Sequence, residues 1–149
     1  MITTPTPSML RALPAEHRQR LMRVAREVDF PQGKRLFEEG GRADRFWIIR
    51  EGHVRLDTHL PAGGEVVVET LGPGAVLGWS WLFAPYRWHF GATAMETTLA
   101  LELDGPGVRG LFENNPVLGN ELLTRFMAVV VERLQATRLR LLDLYGTPA

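Results

Sequence analysis

The stretch Gly78-Trp79-Ser80-Trp81-Leu82-Phe83-Ala84-Pro85-Tyr86-Arg87-Trp88-His89-Phe90 gathers the side chains best suited to chemistry in this chain. Arg87 offers a planar fork of donors that matches phosphate or carboxylate oxygens in charge-assisted pairs. Ser80 and His89 add a hydroxyl and an imidazole, while Trp79, Trp81 and Trp88 supply broad flat faces. That mixture suits an anionic group carried on a flat ring. Plain packing is the competing account, because large aromatics more often fill a core than touch a ligand. On that account Trp79, Trp81, Tyr86, Trp88 and Phe90 build an extra apolar layer. Both accounts stay open here.

Other chemistries find little support. The chain has no cysteine, which removes disulfides, thiolate catalysis and zinc–thiolate sites together. His17, His53, His59 and His89 are scattered singly, without the clustered His and Glu ligands that a metal-binding β-roll needs. No nucleophile elbow, phosphate-binding Walker loop or acid pair in a recognisable setting is present. The expectation is a protein that is not an enzyme and carries no cofactor or metal. Formal net charge is zero, so no global basic field argues for DNA or an anionic membrane. No apolar run approaches the ~20 residues of a membrane span, and Met1–Leu10 lacks the features of a signal peptide. A cytoplasmic location is expected.

The elements that must position the aromatic stretch are legible from turns and periodicity. At 149 residues the chain has room for one compact domain. Residues 1–12 read as a flexible tail, with Thr and Pro dominating Met1–Ser8. A helix is predicted from Pro14, on the helical spacing of Leu21, Val24, Ala25 and Val28, and ends at Pro31 and Gly33. Short strands follow: an apolar run from Arg45 to Arg50, an alternating one from Val54 to Leu60, and a β-branched one from Glu65 to Leu71. Turns at Pro61-Ala62-Gly63-Gly64 and Gly72-Pro73-Gly74 separate them, and Leu99–Leu103 closes the set. A short helix is predicted over Gly105–Asn114, and a long one over 117–145. In the long helix Leu123, Met127, Val130, Leu134, Thr137, Leu141 and Leu144 recur four and three apart. That is a heptad seam with one polar step at Thr137, and it predicts a homodimer.

The glycine-punctuated run Gly33-x3-Phe37-x2-Gly40-x3-Asp44-x-Phe46-x-Ile48-Ile49-x2-Gly52-x-Val54 resembles the cyclic nucleotide-binding domain of the cAMP receptor protein family. Leu71-Gly72-Pro73-Gly74 with Leu77-Gly78 looks like the approach to that family's phosphate-binding cassette. Arg133-Leu134-Gln135-Ala136-Thr137 looks like its hinge-side helix. The resemblance covers roughly Leu13 to Leu144. It implies a mainly β fold, a jelly-roll-like β-roll flanked by an N-terminal helix and a long C-terminal helix, over residues 13–145.

The resemblance also implies a site. In that family a glutamate after the cassette glycine holds the ribose hydroxyl, and an arginine further on pairs with the cyclic phosphate. Here Trp79 stands at the glutamate position, and indole offers one donor and no acceptor. Counting back from Thr93-Ala94 puts Trp88 at the arginine position, with Arg87 one residue earlier; a one-residue shift of the loop would restore Arg87. Thr137 matches a threonine that reaches the base from the dimer helix, or is a small residue tolerated in the seam. The candidate ligand-binding set is therefore Gly78, Trp79, Ser80, Trp81, Arg87, Trp88, His89 and Thr137. Only four residues follow Tyr145, too few for a helix-turn-helix, so no DNA-binding domain is expected. The expected function is a ligand-sensing regulatory module with a Trp-rich cassette that does not bind cAMP in the usual way. Its effector would be a nucleotide-like or other anionic small molecule. The alternative is a ligand-free scaffold whose degenerate pocket docks a partner protein.

Overall fold

The computed structural model describes residues 13–146, so the tail predicted over residues 1–12 lies outside the described residues. Helix α1, Ala15–Met22, leads into two four-stranded antiparallel sheets. One sheet runs β1 (Ala25–Phe30), β8 (Thr98–Asp104), β3 (Arg45–Glu51) and β6 (Val76–Leu77); the other runs β2 (Arg35–Phe37), β7 (Gly91–Ala94), β4 (Val54–His59) and β5 (Glu65–Leu71). Helices α2 (Gly105–Asn114) and α3 (Pro116–Gly146) complete a mainly β roll with flanking helices.

The helix predicted to continue to Val28 stops at Met22, and Ala25–Phe30 is instead an edge strand. Spacings of three and four at Leu21, Val24, Ala25 and Val28 fit a helix, but pairing with β8 overrides them. The register runs from Ala25 opposite Leu103 to Phe30 opposite Thr98. Val28 and Phe30, two apart, reach the inter-sheet core, and Arg26 donates to the Glu102 carboxylate at 2.7 Å. Strands β2, β6 and β7, of two to four residues, were too short to carry a periodic signal.

Alternation along β3 divides the core in two, because successive strand residues face opposite sides of a sheet. Phe46 and Ile48 join Leu101, Leu103, Leu122 and Phe126 in a layer beneath the helices. Trp47 and Ile49 join Val54, Leu56, Leu77 and Ala92 between the sheets. A strand covered on both faces reads as the continuous apolar run seen at Phe46–Ile49. Glu102, only 8% exposed, faces the same interior and is satisfied by Arg26, Arg45 and the Trp47 indole N–H.

The second sheet is pinned by an ion pair. The Arg35 guanidinium donates to both Asp57 carboxylate oxygens, at 2.6 and 2.9 Å, and to the Thr93 hydroxyl at 2.9 Å. One side chain thereby ties β2, β7 and β4. Gly91 makes room for it, since a Cβ there would stand 1.9 Å from the Arg35 Nη2.

Helix α2 starts at Asp104, whose carboxylate accepts from the Gly107 amide at 2.9 Å. At the start of α3 the Asn115 side chain accepts from the Leu118 amide at 3.2 Å. Leu118, Leu122 and Phe126 anchor the first turns of α3 in the core. Beyond Arg133 the helix keeps a hydrogen bond to the roll, from Arg140 to the Val68 carbonyl at 3.0 Å, while Leu134, Leu139, Leu141, Leu142 and Leu144 are all exposed.

Hydrogen bonds from Arg35 hold the Asp57 carboxyl below its ordinary range. A depressed carboxylate stabilises the fold above its unfolded value, and that contribution is lost as pH falls through the folded value. Asp57→Asn is expected to lower stability at neutral pH by about 3 kcal/mol and to flatten the acid limb of the stability profile. Denaturant titrations between neutral and acidic pH measure both. An unchanged acid limb would show that Asp57 does not carry it.

Candidate functional site

The aromatic stretch begins where β6 ends. Gly78 sits at φ +99°, which only glycine adopts readily, and a Cβ there would lie 2.8 Å from the Trp88 ring. This close approach turns the chain into the single 3₁₀ turn Ser80–Leu82 and cradles Trp88. Trp88 is 6% exposed and stacks on Phe37 with centroids 4.0 Å apart and planes 15° from parallel. Trp47 stacks nearby at 6.0 Å. The indole at the position matched to the phosphate-binding arginine is therefore part of the inter-sheet core.

The other predicted site residues separate. Trp79, Ser80 and His89 border the same small cavity as Gly78 and Trp88, and the Ser80 hydroxyl pairs with His89 Nδ1 at 3.1 Å. Trp81 does not border it: fully buried, it stacks on Phe46 at 4.4 Å beneath the helices and donates its indole N–H to the Gly78 carbonyl. Arg87 is exposed, and its backbone bridges Arg42 at the loop edge. The one-residue shift that would bring Arg87 into place is thus not made, because Trp88 claims the inward position. Thr137 is exposed on α3 beside Arg140, beyond the level at which the helix touches the cassette.

Arg133 is the residue that the sequence reading missed as a site member, although it lies in the helix segment that carried the resemblance. Its guanidinium lies over the Trp79 ring, 4.9 Å from the centroid, and donates to the Val76 carbonyl. Its Nε is 4.0 Å from the Glu69 carboxylate. Burial pushes its pKa down from the ordinary arginine value. An arginine inside an otherwise apolar inner face of α3, near Val129 and Phe126, was the available signal. It couples helix and cassette through a cation–π contact at the position matched to the family's glutamate.

What remains between these side chains is a cavity of about 20 Å³. That is room for one water molecule, whereas small-molecule sites typically measure about 300–1,000 Å³. Among the described residues, no three His, Asp or Glu side chains stand close enough to hold a metal ion.

Residues 27–115 match the family model described as "Cyclic nucleotide-binding domain". The chain belongs to the cyclic nucleotide-binding domain family. Within this family it is 31% identical over 127 residues to the CRP-like cAMP-activated global transcriptional regulator of Mycobacterium tuberculosis, covering 85% of this chain and 55% of that protein. Identity to the cyclic AMP receptor protein of Thermus thermophilus is 31% over 113 residues, 75% of this chain and 50% of that one. The chain spans about half the length of the curated relatives it matches. Among solved structures, the Thermus thermophilus catabolite activator protein superposes with a TM-score of 0.71 at 27% identity, covering 93% of this chain and 62% of its own. A candidate cyclic nucleotide-binding protein of Geobacter metallireducens superposes at 0.77 with 28% identity, covering 90% of this chain and 99% of its own. These relatives are regulators by name or cyclic nucleotide-binding by description, and the family fold agrees with the roll described above. No described helix is long and apolar enough to cross a membrane.

Trp88→Ala should cost about 3–5 kcal/mol, the range for removing a buried large aromatic. Urea unfolding of the variant measures this. A loss below about 1 kcal/mol would show that the indole is not a working part of the core.

Proposed function

We propose that this chain is a non-enzymatic, ligand-sensing regulatory module whose cassette does not take cAMP in the usual way, and that it signals as a homodimer through α3. The observation that carries the reading is Trp88, buried in the arginine's place with space for a single water beside it. A cyclic phosphate needs charge-assisted donors, and Arg87 points to solvent instead. The ribose needs an acceptor, and Trp79 offers its face to Arg133.

Arg133 supports the regulatory half of the reading. It joins the Trp79 face and the Val76 carbonyl to α3, so a change on either side alters the balance between two settings of the helix. Exposed Leu123, Met127, Leu134, Leu141 and Leu144 offer α3 an apolar seam for a second copy. The alternative of a scaffold docking a partner on the cassette aromatics is weaker, because Trp81 and Trp88 are buried and unavailable for contact. A cytoplasmic setting and action through another protein rather than DNA belong to this proposal. The second rests on the balanced charge of the chain, which offers DNA no net basic field.

Thermal unfolding with and without millimolar cAMP tests the closed cassette. A ligand present at one hundred times its Kd stabilises by about 2.7 kcal/mol, several degrees for a domain of this size; the expected result is no shift. A saturable rise in Tm would overturn the proposal. Molar mass in solution tests the seam: a dimer is expected for the wild type and a monomer for Leu134→Glu, and a monomeric wild type would contradict it.

A further inference from the structure

The cavity inside the cassette is not the largest space in the molecule. Between the β5–β6 turn, Glu69 to Val76, and one face of α3 lies an open cleft of about 570 Å³. That is within the range of small-molecule sites. Its helical wall comprises Arg125, Ala128, Val129, Glu132, Arg133 and Ala136. These positions recur at three and four and so share one face. The opposite wall is the glycine-rich turn Gly72-Pro73-Gly74, which brings little side-chain bulk into the space.

Arg133 borders both this cleft and the closed cassette. One of its terminal nitrogens is engaged by the Val76 carbonyl, and the plane covers Trp79. The other, Nη1, is buried with no hydrogen-bond partner among the described residues. A buried guanidinium N–H without an acceptor is costly, and an anionic oxygen is the acceptor that suits it best. Val76, Ala128 and Val129 add apolar lining to the cleft that Arg133 borders. Glu69 and Glu132 stand at its edges and disfavour a ligand bearing several negative charges.

The cleft is also independent of the dimer seam. At 3.6 residues per turn, the cleft face and the Leu123–Leu134–Leu141 seam lie roughly 140° apart around α3. Pairing of two copies along the seam leaves the cleft open.

We propose that this cleft, anchored by Arg133, is the effector site, and that its ligand is a small organic anion with one acidic head on an apolar body. The proposal rests on the regulatory reading above and moves the ligand from the cassette to the outer side of the β5–β6 turn. A ligand that draws Arg133 toward the cleft would act on the same guanidinium that ties α3 to Trp79.

Amide and indole NMR of the whole chain, titrated with benzenesulfonate, a monoanion on an apolar ring, tests it. Saturable shifts are expected at Gly72, Gly74 and Ala128, with the Trp88 indole N–H unmoved. Ala136→Glu changes an exposed residue at the cleft and should weaken the probe about tenfold by like-charge repulsion, with circular dichroism unchanged. Shifts that are absent, fail to saturate, or are untouched by Ala136→Glu would overturn the cleft proposal alone. Saturable movement of the Trp88 indole would instead overturn the closed cassette, and the cleft proposal with it.

Discussion

The contact between Gly78 and the Trp88 ring is the constraint on which the cassette depends. A positive-φ glycine with no Cβ lets the indole settle against the backbone, and Phe37 and Trp47 then complete a stack across the two sheets. The backbone turn at Gly78 thus sets the indole directly against the small cavity of the cassette. Removing the glycine would displace the ring; removing the ring would leave a hole in the inter-sheet core. Fold stability and the small size of the cavity beside Trp88, about 20 Å³, are therefore coupled.

The second consequence concerns charge. With an indole where the family's glutamate stands, Arg133 meets a π face and a main-chain carbonyl, and the nearest carboxylate, Glu69, is 4.0 Å away. A guanidinium retained in so desolvated a place is an unusual expense unless it transmits or receives something. It stands where α3 meets both Trp79 and the end of β5, with the leucines that follow it turned to solvent. The position makes it the natural link between events near the β5–β6 turn and the packing of α3.

Much of the fold was legible in the sequence because its signals are local. Gly63-Gly64 and Gly72-Pro73-Gly74 mark turns, β3 and β5 are β-rich runs, and the break between Asn114 and Pro116 divides α2 from α3. The first strand was not legible, because Ala25 and Val28 satisfy a helical period and only pairing with β8 decides between the two. In the cassette, residue types were legible but directions were not. Trp88 and Arg87 are neighbours in sequence and opposite in direction, so one residue of loop register determines whether a cation or an indole faces inward. Trp81 was grouped with Trp79 by proximity, yet it packs against Phe46 and Phe126 in the other core layer. Arg133 and Thr137 lie one helical turn apart, yet the first meets the Trp79 face and the second is exposed.

A crystal structure of the protein grown with millimolar cAMP would test the central claim most directly. The account predicts Trp88 stacked on Phe37, Arg133 over Trp79, and no nucleotide between the sheets and α3 at the cassette. A cyclic nucleotide bound there, with the Trp88 ring swung out and Arg87 turned inward onto its phosphate, would contradict it.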